Sequence, residues 1–121
     1  MRILIVEDSP EQRVQIKHVA EQLGHSTDCV TSVEEALPIL GEVDMLIVDW
    51  EMPGISGLEL VKKARKFGYP IPIIMVTVKG RWDDLCTAVS AGADAFMSKP
   101  FDSKELIFRI QTEEERIKRK K

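Results

Sequence analysis

Cysteine is nearly absent from this chain, which carries only Cys29 and Cys86. The two are isolated and match no metal-binding or redox spacing, so both are expected to be free thiols in packed positions. Long apolar runs are missing as well. No stretch approaches the roughly 20 residues a helix needs to span a bilayer, so no membrane partner is expected. A large charge of either sign is also absent. The net charge of -3 gives no overall basic signal for nucleic acid, and no direct nucleic-acid binding is expected. Histidine is limited to His18 and His25, on and just after the first helix, and both are expected to be solvated. There is no internal repeat, low-complexity tract or linker, and 121 residues suit one domain over 1–121. Met1-Arg2-Ile3-Leu4 runs straight into a strand pattern, leaving no room for a signal peptide. The expected compartment is the cytoplasm.

What is present is an alternation of apolar runs and amphipathic stretches. Apolar residues at 44% and charged residues at 31% are globular proportions that argue against disorder. Ile3-Leu4-Ile5-Val6 is a continuous apolar run, as expected of a strand buried on both faces. Ser9-Pro10 reads as an N-cap with proline at the first helical position. Ile16, Val19, Ala20 and Leu23 then follow helical spacing, and Gly24 ends the segment. Residues 26–31 form a weaker, more polar strand. Ser32-Val33-Glu34-Glu35 is a capping-box pattern opening a second helix, which Pro38 should kink or shorten. Met45-Leu46-Ile47-Val48 is a third strand, followed by a long loop over 49–56.

Leu60, Val61 and Ala64 mark the apolar face of a third helix, which ends near Gly68. A fourth strand is expected over 71–76, with Pro72 near its start. Leu85, Ala88 and Val89 define a fourth helix, stopped by Gly92. Ala95-Phe96-Met97 is a short fifth strand. Asp102-Ser103-Lys104-Glu105 caps a last helix over about 103–117, with a charged tail to 121. Five strands alternating with five helices imply an α/β fold, doubly wound around a parallel sheet with helices on both faces.

In such a sheet, ligands bind beyond the carboxyl ends of the strands. The first strand exits into Glu7 and Asp8, the third into Asp49, the fourth into Thr77, and the fifth into Ser98 and Lys99. Three carboxylates brought together repel one another unless cations intervene. Lys99 supplies one positive charge, and a divalent ion would supply two more. Oxygen ligands without His or Cys suit magnesium. Asp49 would then be a nucleophile forming an acyl phosphate. Metal and Lys99 would offset the charge on the transferred group, and Thr77 could donate to one of its oxygens. Alone, each of these residues reads as a helix cap, a turn residue or a solvated charge. Their combination at the ends of separate strands carries the argument.

At these residues the chain resembles the receiver domain of bacterial response regulators in two-component systems. The resemblance rests on Ile3-Leu4-Ile5-Val6-Glu7-Asp8-Ser9, Asp49-Trp50-Glu51-Met52-Pro53-Gly54 with Gly57, Thr77, and Lys99-Pro100-Phe101, in that order. It implies a flavodoxin-like strand order 2-1-3-4-5 and a module that takes a phosphoryl group from a histidine kinase, a phosphotransfer protein or a small acyl-phosphate donor. By resemblance Asp49 is the phosphoacceptor. Asp8 is a direct Mg2+ ligand, Glu7 acts through water, and the backbone carbonyl of Glu51 is a further ligand. Lys99 contacts the phosphoryl group, and the Lys99-Pro100 bond is cis.

Thr77 and Phe96 fall at switch positions, although Phe96 reads equally as a buried strand aromatic. Glu51 and Lys79 fall at positions that tune hydrolysis, and their opposite charges could meet as a lid. Gly57 serves a backbone need, such as positive φ or close packing. The face built from the fourth helix, fifth strand and fifth helix is the signalling surface. Arg109 and Arg116 are candidates for pairing there in a homodimer, and the output domain or downstream protein is unspecified.

The sequence also departs from the family pattern. Val78 follows Thr77 where a smaller residue is usual, and is expected to narrow access. Trp82 is read as a packing residue, with a partner contact as the alternative. Three other functions compete. A flavodoxin-like cofactor protein needs phosphate donors after the first strand, where Glu7-Asp8-Ser9-Pro10-Glu11 is acidic. An aspartyl phosphatase would carry its nucleophile after the first strand. A receiver-like scaffold without phosphorylation would have lost an acid or the lysine, yet all are present. The chain is therefore expected to turn over no external metabolite, beyond catalysing its own phosphorylation and dephosphorylation.

Overall fold

A computed structural model describes residues 1–119 of the chain. The strands are β1 (Arg2–Val6), β2 (Ser26–Val30), β3 (Met45–Asp49), β4 (Ile73–Thr77) and β5 (Ala95–Ser98). The helices are α1 (Pro10–Gln22), α2 (Val33–Ala36), α3 (Gly57–Lys66), α4 (Trp82–Ala91) and α5 (Ser103–Arg119). The strands form one sheet ordered β2-β1-β3-β4-β5, and every neighbouring pair is parallel. The expected doubly wound architecture and strand order are thus present. Of the charged tail expected to 121, Lys120 and Lys121 lie outside the described residues. Among the described residues, no helix is long and apolar enough to cross a membrane.

Alternation along the buried strands sorts side chains to two cores. Leu4, Val6, Leu46, Val48, Ile73 and Met75 pack on the face covered by α2, α3 and α4. Ile3, Ile5, Ile47, Ile74, Val76 and Met97 pack on the other face, against Ile16, Val19 and Ala20 of α1 and Leu106 and Ile110 of α5. Local signals set the ends of the helices. Ser9 accepts from the Gln12 N–H at 3.5 Å, with Pro10 opening α1. Ser32 accepts from the Glu35 N–H at 3.2 Å, while Glu35 accepts from the Thr31 N–H at 3.1 Å. Asp102 accepts from the Glu105 N–H at 2.8 Å. Proline cannot continue an α-helix without losing a hydrogen bond. At Pro38 α2 accordingly stops at Ala36, and a 3₁₀ segment continues over Leu37–Glu42.

Several expectations are corrected. His18 is exposed as expected, but His25 is only 8% exposed. The turn after α1 folds it inward, so that Nε2 faces Glu114 of α5 at 3.4 Å. Trp82 is 73% exposed rather than packed: it is the first residue of α4, and Arg81 and Asp83 on either side are exposed as well. Of the three apolar residues marking α4, only Ala88 is buried and Val89 faces solvent. Both cysteines are free, but Cys86 is exposed on α4 rather than packed. Strand β4 starts at Ile73 and includes Thr77, and α5 runs to Arg119, beyond the expected end.

Candidate functional site

The carboxyl edge of the sheet gathers the exit residues that the sequence points to. Asp49 is the last residue of β3 and is 4% exposed, while Glu7 directly follows β1 and is 1% exposed. Asp8 is exposed beside them, and each of the three offers a carboxylate oxygen within 4.8 Å of the others. Lys99, just beyond β5, spans the buried pair. Its Nζ lies 3.1 Å from Glu7 Oε1 and 3.1 Å from Asp49 Oδ2. The Lys99 N–H donates to the Thr77 carbonyl at 2.6 Å, which ties the end of β5 to the end of β4. The Lys99-Pro100 bond is cis, as the resemblance implied.

The backbone around Asp49 is closely packed. The Glu51 N–H donates to Asp49 Oδ1 at 3.2 Å. The Gly57 N–H donates to the Trp50 carbonyl at 2.9 Å, folding the loop back on itself. Gly57 has no positive φ, and its role is close approach: a Cβ there would collide with the Asp49 carbonyl. Any side chain at position 57 would therefore push α3 away from the acid.

The electrostatics are those of acids crowded out of water. Burial pushes the Asp49 carboxyl up to about 7, hydrogen bonding and repulsion from Glu7 add to the rise, and Lys99 opposes it. Burial alone would lower the Lys99 amine. The carboxylates of Glu7 and Asp49 outweigh that, and the amine is held above its ordinary value. One lysine therefore does not neutralise the cluster. The residues present fit a divalent cation: Glu7, Asp8 and Asp49 each offer a carboxylate oxygen, and among the described residues no His or Cys joins them. A hard cation such as magnesium suits an oxygen-only set of this kind.

Thr77, at the end of β4, is fully buried. Its hydroxyl donates to Glu51 Oε2 at 2.5 Å, and the Val78 N–H donates to Glu51 Oε1 at 3.1 Å. Glu51 and Lys79, whose opposite charges could meet as a lid, do not meet. Glu51 turns inward onto β4, and Lys79 lies over the Trp50 ring, its Nζ 5.3 Å from the centroid. The Val78 side chain, read from the sequence as narrowing access, is exposed at the end of β4. Sequence reasoning gave Glu51 its charge and its flanking position, yet missed its partner. A hint was available, since hydroxyl and N–H groups at a strand end attract any nearby carboxylate. Phe96 is half-buried, paired in register with Met75 on the α2–α3–α4 face of the sheet. Arg116, a candidate for dimer pairing, is engaged within its own chain by Glu113 at 2.8 Å and Asp94 at 3.5 Å. Arg109 reaches Glu105 at 4.0 Å.

The response regulator receiver domain family matches residues 3–111. The chain is 37% identical to the two-component response regulator PhoP of Pseudomonas aeruginosa over 112 residues, which is 91% of this chain and 50% of that protein. It is 35% identical to the phosphate regulon transcriptional regulatory protein PhoB of Escherichia coli over 120 residues, 96% of this chain and 52% of that one. The chain spans about half the length of the curated relatives it matches. Among solved structures it superposes on the receiver domain of a Francisella response regulator with a TM-score of 0.90 at 27% identity, covering 96% of this chain and 98% of the other. A CheY-like receiver domain protein of Methanospirillum hungatei gives 0.87 at 28% identity, covering 98% and 97%.

Proposed function

The chain belongs to the response regulator receiver domain family of two-component systems, and on that premise we propose that it is a phosphorylation-controlled signalling module whose acceptor is Asp49. Members of this family are signalling modules rather than enzymes acting on a metabolite. Phosphorylation and magnesium are typical of them. The observation that carries the reading is Lys99 Nζ placed 3.1 Å from both Asp49 and Glu7, beside the exposed Asp8.

In this reading an Asp49 oxygen attacks the phosphorus of a phosphohistidine or a small acyl phosphate. The P–N or P–O bond of the donor breaks, and its electron pair leaves with the donor. The product is an acyl phosphate on Asp49, open to later attack by water, so the module dephosphorylates itself. Asp8, Asp49 and the Glu51 carbonyl would hold magnesium, with Glu7 acting through water. The ion supplies the positive charge that lets an anionic donor approach an anionic acid. Lys99 neutralises a non-bridging oxygen of the transferred group and orients Asp49. Thr77 gives its hydroxyl to another oxygen, and Phe96 follows Thr77 in a shift between two populations of the α4–β5–α5 face. A histidine kinase or phosphotransfer protein supplies the phosphoryl group in the cytoplasm. An output domain or downstream protein reads the changed face, where two copies could also pair.

The test is intact-mass analysis after exposure to a small acyl-phosphate donor. The wild type should gain one phosphoryl group only with magnesium, and Asp49→Asn should gain none. Equal labelling of Asp49→Asn would overturn the assignment.

A further inference from the structure

The carboxylate of Glu51 holds two hydrogen-bond donors at the end of β4 with its two oxygens, the Thr77 hydroxyl at 2.5 Å and the Val78 N–H at 3.1 Å. We propose that Glu51 is a built-in stand-in for the phosphoryl group, occupying the anion-binding donors of β4 until an anion on Asp49 displaces it. The inference rests on Asp49 being the acceptor.

Strand register makes the two anions rivals. Asp49 pairs with Val76 across β3 and β4, so Thr77 is the next residue beyond Asp49 on the neighbouring strand. A group growing from Asp49 toward β4 meets the Thr77 hydroxyl first and the Val78 N–H next. A threonine hydroxyl has one hydrogen to donate. Here that hydrogen goes to Glu51, and the hydroxyl in turn accepts from the Lys79 N–H at 3.0 Å. A phosphoryl oxygen takes that hydrogen only if Glu51 gives it up. The Val78 N–H is likewise single.

The geometry allows the exchange without dismantling the acid itself. The Glu51 N–H stays on Asp49 Oδ1 at 3.2 Å, so rotation of the Glu51 side chain alone releases β4. Glu51 is only half-buried, so its carboxylate has water to turn into. Charge acts in the same direction: once Asp49 carries a phosphoryl group, two anions would share one pair of donors, and the added repulsion drives Glu51 out. Glu51 is thus a positioning residue, acting through Thr77 and Val78 rather than on the reacting atoms. It penalises the phosphorylated arrangement and holds Thr77 in a defined place before it.

Two measurements on the intact protein test this. The first needs no phosphoryl donor: in nuclear magnetic resonance the Val78 amide of the wild type should exchange slowly with solvent. In Glu51→Ala that protection should be lost, while the protection of β1 and β3 stays. The second titrates beryllofluoride with magnesium as a phosphoryl mimic. Glu51→Ala should take it up about tenfold more tightly, the worth of one released charge-assisted hydrogen bond. Glu51→Gln keeps an oxygen acceptor for Thr77 but loses the charge, and should fall between. In the wild type, uptake should move the Glu51 side-chain carboxyl resonance to that of a solvated glutamate. Unchanged Val78 exchange in Glu51→Ala, or equal uptake by all three proteins, overturns the stand-in and leaves Asp49 as acceptor. Failure of every protein to take up the mimic overturns the acceptor reading, and the stand-in falls with it.

Discussion

The two ends of the sheet handle charge in opposite ways. At the carboxyl edge Glu7, Asp8 and Asp49 crowd together, and Lys99 pairs with the two buried ones, Glu7 and Asp49. At the amino edge one arginine is fully engaged by hydrogen bonds and an ion pair. Arg65 of α3 donates through Nε to the Gly92 carbonyl at 3.0 Å, and through Nη1 to the carbonyls of Tyr69 and Ile71 at 2.7 and 2.8 Å. Its Nη2 meets Asp94 Oδ2 at 2.8 Å, and the same oxygen accepts from the Ile73 N–H at 2.8 Å. Arg116 then links Asp94 to Glu113. One guanidinium thus fastens α3 to the entries of β4 and β5. A planar fork of donors suits that task, and a lysine could not perform it. The amino edge is built to stay still. The carboxyl edge holds an excess of negative charge that an incoming cation would offset, as an edge kept for function rather than stability would.

The comparison breaks most sharply at Lys99. Lys99→Met leaves Glu7 and Asp49 without their paired cation. Phosphoryl uptake from a small donor should fall about a hundredfold or more, the usual loss when a preorganised electrostatic contact is removed. Mass analysis at fixed time points would show it. Uptake within threefold of the wild type would mean that magnesium alone compensates the charge. Arg65→Ala tests the other end. It removes four hydrogen bonds at once and should cost about 2–4 kcal/mol in urea unfolding. The folded fraction should still take phosphate at the wild-type rate, because the Asp49 cluster is untouched. A stable Arg65→Ala that loses uptake would show that the two ends are coupled.

A smaller effect of opposite sign is expected from Asp49→Asn without magnesium. An amide in place of the crowded acid relieves repulsion, so the variant should be more stable by about 1 kcal/mol. Magnesium should stabilise the wild type by mass action and raise its unfolding midpoint. Asp8→Asn should lose most of that rise. A destabilised Asp49→Asn would mean that the carboxylate's bonds to Lys99 and the Glu51 N–H outweigh its repulsion.

Legibility in the sequence divides along the same line. Strands β1 and β3 are plain because both of their faces are buried, which leaves unbroken apolar runs. The site is plain because topology sends every strand exit to one edge, so that adjacency to a strand end substitutes for spatial knowledge. The amino-edge knot was not legible. Arg65 reads as one more basic residue in Lys62-Lys63-Ala64-Arg65-Lys66, and its four partners lie at 69, 71, 92 and 94. Helix α4 misled for another reason. Its apolar residues at 82, 85, 88 and 89 resemble a buried stripe, but the helix packs on the core through Ala88 and Ala91 and leaves Trp82 and Val89 in water. Periodicity reports an amphipathic face, not whether something covers it. His25 was misplaced, and the partner of Glu51 was not foreseen, because a polar side chain in a turn or loop has no periodicity to orient it.

Glu113 sharpens the contrast by the smallest margin, because it is a buried carboxyl at the settled end. It is 3% exposed, and both its oxygens accept from Arg116, at 2.8 and 3.1 Å. Burial pushes its carboxyl above the ordinary carboxylate range and Asp94 adds to the rise, while Arg116 and Arg109 pull it down. An acid whose folded pKa is raised holds its proton more tightly folded than unfolded. Its contribution to stability is therefore best at low pH. That contribution shrinks as pH rises from the unfolded glutamate value of about 4.3 to the raised folded value, and is level above it. Glu113→Gln removes the titration while keeping an oxygen for Arg116. In urea unfolding between pH 4 and pH 8, the variant should match the wild type at the acid end. It should gain on it through the window, by no more than about 1 kcal/mol, because Arg116 loses a charged partner in exchange. Parallel pH curves for the two proteins would mean that Arg116 fully offsets the burial, and the amino edge would then carry no strained acid at all.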